Sequence, residues 1–148
     1  MEIKALTYYD EEIWNRVMAY AENCSWQPTG KFLSNRMKEK DFKDWERVFV
    51  ALENSEISGF CALTKTCSLS PIAYMPFIGF VFVGESYRGN RISEKLCSFS
   101  AQYAKTIGFD KVYLYSDIVG LYEKYGFTKI DEKKAAWGIM QSIYMRIT

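Results

Sequence analysis

Hydrophobic and polar positions alternate with periods that change along the chain, and the changes mark its elements. Ile3 to Thr7 reads as a short strand. Asp10 is placed to cap a helix, and Ile13, Trp14, Val17, Met18 and Ala21 recur every three or four residues, giving it one apolar face. Trp26-Gln27-Pro28-Thr29-Gly30 breaks that helix, and a more polar one is predicted from Phe32 to about Phe42, with Phe32, Leu33, Met37 and Phe42 inward. Arg47 to Glu53 and Ile57 to Thr64 are strand-like and joined through Asn54-Ser55-Glu56 as a hairpin. A loop through Ser68 to Pro71 leads to Phe77-Ile78-Gly79-Phe80-Val81-Phe82-Val83. This aromatic and β-branched run suits a central strand buried on both faces, with Gly79 marking a bulge or close approach.

A turn over Gly84 to Asn90 follows. Ile92, Leu96, Phe99, Tyr103 and Ile107 then place a helix over Arg91 to Ile107, stopped by Gly108. Val112 to Tyr115 reads as a strand, Val119 to Tyr125 as a short helix stopped by Gly126, and Phe127 to Ile130 and Trp137 to Ile147 as closing strands. The sum is β-α-α-β-β-β-α-β-α-β-β, an α+β (mixed α/β) domain on one largely antiparallel sheet. Its centre is a strand–turn–helix–strand unit, whose two strands would be parallel and joined by a right-handed crossover. No repeat, linker or low-complexity segment divides the chain, so one domain over 1–148 is expected.

Composition narrows the chemistry. The 148 residues carry a net charge of +1 with signs interspersed, so a broad electrostatic footprint for nucleic acid is missing. The longest charged run, Lys38-Glu39-Lys40-Asp41, alternates in sign as a solvated helix face does. There is no histidine, and Cys24, Cys61, Cys67 and Cys97 have no metal-ligand spacing, which excludes histidine triads and argues for no metal. Cys61 and Cys97 sit in apolar runs, as buried free thiols do. No apolar stretch nears the roughly 20 residues that span a bilayer, and Met1-Glu2-Ile3-Lys4 opens no signal peptide, so no membrane partner and a cytoplasmic setting are expected.

The informative stretch runs from Phe82 to Leu96. A buried strand feeds a small turn and then a helix, whose first amides lack intrahelical partners and lie at the positive end of the helix dipole. Gly89 permits close backbone approach, Ser93 keeps the first helical turn small, and Arg88 and Arg91 add charge that pairs with phosphate oxygens. From these residues alone, an anion site and an ordinary capped turn with surface arginines both remain open. The spacing of a P-loop and that of a GxGxxG fingerprint are both absent.

Tyr87-Arg88-Gly89-Asn90-Arg91-Ile92-Ser93 resembles the pyrophosphate-binding motif (Q/R)xxGx(G/A) of the GCN5-related N-acetyltransferases. Arg88 holds its first place, Ser93 its last, and Arg91 stands where the inner glycine is usual. Gly120-Leu121-Tyr122-Glu123-Lys124-Tyr125-Gly126-Phe127 resembles the family's (F/L)YxxxGF segment. The order of elements also matches the family's, nearly end to end.

The resemblance implies a GNAT fold: a twisted, mostly antiparallel sheet of six to seven strands, about four flanking helices, and a splayed parallel strand pair at the cofactor site. It implies acetyl-CoA as cosubstrate, with Val81, Phe82 and Val83 offering backbone groups to the pantetheine arm. Arg88, Gly89, Asn90, Arg91, Ile92 and Ser93 would form the pyrophosphate cradle. Tyr122 aligns with the tyrosine that protonates the departing thiolate, and Tyr125 is read as structural. Ser116-Asp117-Ile118 departs from relatives that carry an asparagine in this loop.

An alkylamine is mostly protonated at pH 7, so a base or water relay helps the reaction. Glu85 and Asp117 are the nearest acidic groups; each also fits a solvated loop carboxylate or a cap, and no base is assigned. The acceptor region of the family maps onto Trp26, Gln27, Asp41, Asp44, Trp45 and Glu46. These suit a cationic amine, while a plainer reading makes the tryptophans core and the acids surface. The implied activity is acetyl transfer from acetyl-CoA to a primary amine of a small molecule, in a ternary complex. A non-catalytic acyl-CoA-binding regulatory module on the same fold is the alternative. Pairing of the strand around Trp137 to Tyr144 between two copies would give a homodimer.

Overall fold

The computed structural model describes residues 1–69 and 71–148, so of the loop expected over Ser68 to Pro71 only Ser70 lies outside the described residues. Seven strands form one sheet: β1 (Glu2–Leu6), β2 (Arg47–Glu53), β3 (Glu56–Thr64), β4 (Phe77–Val83), β5 (Lys111–Ser116), β6 (Thr128–Lys134) and β7 (Met140–Ile147). Their spatial order is β1-β2-β3-β4-β5-β7-β6. Every neighbouring pair is antiparallel except β4 with β5. That parallel pair is joined by helix α3 (Ile92–Thr106), as the strand–turn–helix pattern requires.

The helices α1 (Glu11–Asn23) and α2 (Thr29–Lys38) cover one face of the sheet and α3 the other. Trp14, Val17, Leu33 and Met37 pack with Val48, Val50, Phe60 and Phe82 on the first face. Leu96, Cys97, Ala101 and Ala104 pack with Phe49, Cys61, Leu63, Ile78 and Leu114 on the second. Alternation along the strands divides the side chains between these two cores. Phe49 and Phe60 are wholly buried, and each contributes about 2–3 kcal/mol relative to exposure. All four cysteines are free, and burial pushes the Cys61 thiol up to about 12.

Several expectations are corrected. Three α-helices flank the sheet instead of about four, because 119–125 yields only a 3-10 turn at Tyr122–Tyr125. The second helix starts at Thr29, three residues before the expected Phe32. Phe32 is 60% exposed and not inward, because the buried face of the helix runs through Gly30, Leu33, Ser34 and Met37. Asp10 precedes α1, but its carboxylate accepts from the Thr7 amide behind it and not from a helix amide. β7 is paired on both sides, by β5 and β6, so it has no free edge to offer a second copy. The free edge there is β6, which carries Lys129, Asp131, Glu132, Lys133 and Lys134, a charge pattern that blunts edge pairing.

β4 is less enclosed than expected. Gly79, Phe80 and Val81 are each half-buried, because the strand bulges there: both Phe80 and Val81 lie opposite Cys61, and Phe80 takes a positive φ of 54°. Gly59 permits the neighbouring contact, since a Cβ on it would lie 2.6 Å from the Phe82 carbonyl oxygen.

Candidate active site

Strands β4 and β5 share a single register pair, Phe77 with Tyr113, and a hydrogen bond that the Tyr113 amide donates to the Pro76 carbonyl at 3.0 Å. Beyond that point they diverge. The gap opens a cleft of about 1490 Å3, larger than the roughly 300–1,000 Å3 that usually holds one small ligand. Residues 78–83 form one wall of it, Leu114 to Ile118 another, and the head of α3 closes one end.

That end is made of backbone. A 3-10 turn at Glu85–Tyr87 leads to Gly89 at φ 86° and Arg91 at φ 60°, so two left-handed residues alternate through the bend. Asn90 Nδ2 donates to the Tyr87 carbonyl at 2.9 Å and braces the turn. The first amide of this stretch with a backbone partner is Lys95, which donates to the Arg91 carbonyl at 3.1 Å. Between them, the six amides of Gly89 to Glu94 have no hydrogen-bond partner among the described residues, and Arg91 supplies no side-chain cap. Such a run of N–H groups at a helix head is an anion-binding concavity. A Cβ on Gly89 would meet nothing within 4 Å, so the space over the turn is open. The residue standing at the motif's inner glycine, Arg91, adopts the left-handed conformation that glycine takes without penalty.

The two arginine side chains are occupied elsewhere. Arg91 grips Glu94 bidentately, Nε to Oε1 at 2.9 Å and Nη2 to Oε2 at 2.7 Å. Arg88 donates from Nε to the Val83 carbonyl at 3.0 Å and lies 5.6 Å over the Phe82 ring. The concavity is therefore formed by amides, with both guanidinium groups at its margin. Ser93 Oγ meets the Tyr125 hydroxyl at 2.7 Å, tying the first turn of α3 to the 3-10 turn at Tyr122–Tyr125.

Tyr122 lies beneath this junction, 8% exposed, edge-on to Tyr125 at 5.8 Å and Phe127 at 6.1 Å. Its ring lines the cleft. Its hydroxyl makes no hydrogen bond among the described residues, yet it is not sealed in: Ser34 Oγ is the one buried side-chain polar atom left unpartnered among them. Burial pushes the Tyr122 phenol above its ordinary value, with the nearby Cys97 adding to the effect. A phenol in that state is a proton donor at neutral pH.

The family profile described as an acetyltransferase (GNAT) domain matches residues 44–129, spanning β2 through both motifs. The chain belongs to the GNAT acetyltransferase family. Among solved structures, the GNAT fold here is similar to an aminoglycoside 6'-acetyltransferase type Ii, with a TM-score of 0.77 at 15% identity over 99% of this chain and 97% of that one. It is similar also to an aminoglycoside 6'-N-acetyltransferase complexed with coenzyme A (TM-score 0.70, 13% identity, 99% and 97% covered). A third is a spermidine N-acetyltransferase chimera from Vibrio cholerae and hSSAT (TM-score 0.70, 15% identity, 99% and 94% covered). No curated protein matches this GNAT chain significantly in sequence.

The remaining expected residues separate. Glu85 is exposed and lies outside the cleft lining; the Ser25 hydroxyl and then Arg88 hold its carboxyl below the usual carboxylate range. It is a poor base. Asp117 lines the cleft. Of the six residues mapped to the acceptor region, only Trp26 lines it. Gln27 donates to the Ala21, Glu22 and Cys24 carbonyls at the end of α1. Trp45 packs edge-on against Phe109 at 4.9 Å, and Glu46 is buried against Arg36 and the Lys43 and Lys65 amides. Sequence reasoning passed over Phe32, Tyr115, Trp137 and Gln141, which line the cleft from four different elements or loops.

Proposed function

We propose that the chain acts over its whole length as one acetyl-CoA-dependent N-acetyltransferase domain, transferring acetyl to a primary amine of a small molecule in a ternary complex. The observation that carries this reading is the run of free amides at the head of α3, opening into the same cleft as the Tyr122 phenol. The amides of Gly89 to Ser93 would take the diphosphate of coenzyme A, with Arg88 at the margin. Backbone groups of Val81, Phe82 and Val83 would take the pantetheine amides by strand-like pairing. The Val83 carbonyl already accepts from Arg88 Nε and has a second lone pair for such a bond.

The amine nitrogen attacks the thioester carbonyl, the C–S bond breaks, and Tyr122 gives its proton to the departing sulfur. Only the neutral amine is a nucleophile. Asp117 is the carboxylate placed in the cleft to receive the proton the amine sheds, directly or through water. Small-molecule acceptors draw support from neighbours whose names specify aminoglycosides and spermidine.

The test is release of coenzyme A thiol from acetyl-CoA across a panel of amines. Amine-dependent release is expected. Acetyl-CoA binding without release by any amine would leave the non-catalytic module in its place.

A further inference from the structure

The aromatic lining of the cleft restricts which amine fits, and the inference drawn from it rests on the transferase reading above. Two aromatic pairs flank the split between β4 and β5. On the β4 side Trp26 stacks on Phe82, centroids 6.2 Å apart and planes at 10°. On the β5 side Trp137 lies 6.5 Å from Tyr115. Trp26, Phe32 and Trp137 remain 38%, 60% and 51% exposed, and all three line the same concavity. Scattered exposed aromatics need no explanation, but a cluster around a cleft marks a binding surface.

Negative charge in the cleft is sparse. Asp117 is the only carboxylate among the described residues lining the cleft. Arg36, which also lines it, is committed to Glu46 at 3.0 Å and to the Asp41 carbonyl at 2.8 Å. A polyamine or aminoglycoside entering here would lose water from several ammonium groups and find one carboxylate to offset the cost. A monoamine with an aromatic or bulky apolar body would place that body against the ring faces and match its single charge to Asp117.

We propose that the acceptor is such a monoamine, its apolar body held between the Trp26–Phe82 and Tyr115–Trp137 pairs, and that polycationic amines are poor substrates. Thiol release is compared for 2-phenylethylamine, spermidine, kanamycin and a peptide with an apolar N-terminus. The expected kcat/KM for 2-phenylethylamine is at least about 100-fold above spermidine and kanamycin, the scale of an aromatic body gained or lost in a pocket. Trp137→Ala should raise the 2-phenylethylamine KM about tenfold and leave that for acetyl-CoA unchanged, with Trp137→Phe restoring most of the loss. Preference for spermidine, kanamycin or the peptide overturns the proposal, as does a Trp137→Ala enzyme with an unchanged amine KM. Calorimetric titration in the presence of coenzyme A gives a readout without turnover. 2-Phenylethylamine binding about tenfold tighter than spermidine, with no thiol released, supports the proposal and sinks the transferase reading alone; equal or weaker binding overturns it.

Discussion

Two parts of the cleft are built from different materials. At the head of α3 the unpartnered groups are main-chain amides, held by a turn whose φ values are unusual and whose arginine side chains are engaged elsewhere. Elsewhere the lining is made of side chains: Trp26, Phe32, Tyr115 and Trp137, contributed by parts of the chain remote in sequence. A backbone cradle depends on conformation and tolerates many residues, provided the bend survives. A side-chain pocket depends on which residue stands where. The first kind of site serves a constant cosubstrate, and the second adapts to a particular acceptor.

Tyr122 stands at the junction, and its loss should have the largest effect. Tyr122→Phe is expected to lower kcat about 100-fold while the acetyl-CoA KM is kept, since it removes the proton and leaves the ring. Steady-state kinetics against acetyl-CoA decide this, and an unchanged kcat removes Tyr122 from the chemistry. At the amide end, Gly89→Val forces a β-branched residue to φ 86°, a strain of about 1–3 kcal/mol. Coenzyme A affinity should fall about tenfold or more, read by calorimetry, with the amine KM little changed.

The pH dependence follows from directions already given. Burial raises the Tyr122 phenol above its ordinary value of about 10, so the acid form persists as pH rises. The rate should climb with pH as the amine loses its proton, with no fall due to Tyr122 below about pH 10. Glu85 is ionised well below neutrality, so Glu85→Gln should leave the profile where it is. A limb that disappears in Glu85→Gln would restore Glu85 as the base.

The smallest effect sharpens the comparison most. Arg91→Gly relieves a left-handed residue at a gain of about 1 kcal/mol and gives up the exposed pair with Glu94. The melting temperature should rise slightly, and coenzyme A affinity should stay within about threefold. A tenfold loss would mean that the Arg91 side chain reaches a phosphate, and that this end is not backbone alone.

The same contrast explains what could be read from the sequence. The bounds of β2 and β4 are legible to the residue, because each is a run of apolar residues that burial in the sheet imposes. The bend at the head of α3 is legible because Gly89 records a backbone requirement, met at φ 86°. The aromatic end left no such record. Phe32 looks like a core residue of α2, but the buried face of that helix runs through Gly30, Leu33, Ser34 and Met37 and leaves Phe32 outside it. Trp137 belongs to the turn between β6 and β7, and only the tertiary fold brings it to Tyr115. The segment 119–125 has helical spacing, yet Gly120 at φ 89° and Gly126 at φ 88° confine its regular part to a single 3-10 turn.

The proposed function depends most on the amides of Gly89 to Ser93 receiving a diphosphate. Thermal unfolding measured with acetyl-CoA and with S-acetylpantetheine, each at about 1 mM, separates that claim from binding of the arm alone. Acetyl-CoA should raise the melting temperature by several degrees through mass action, and S-acetylpantetheine, which lacks the diphosphate, by far less. Equal shifts for the two ligands, or none for acetyl-CoA, would contradict it.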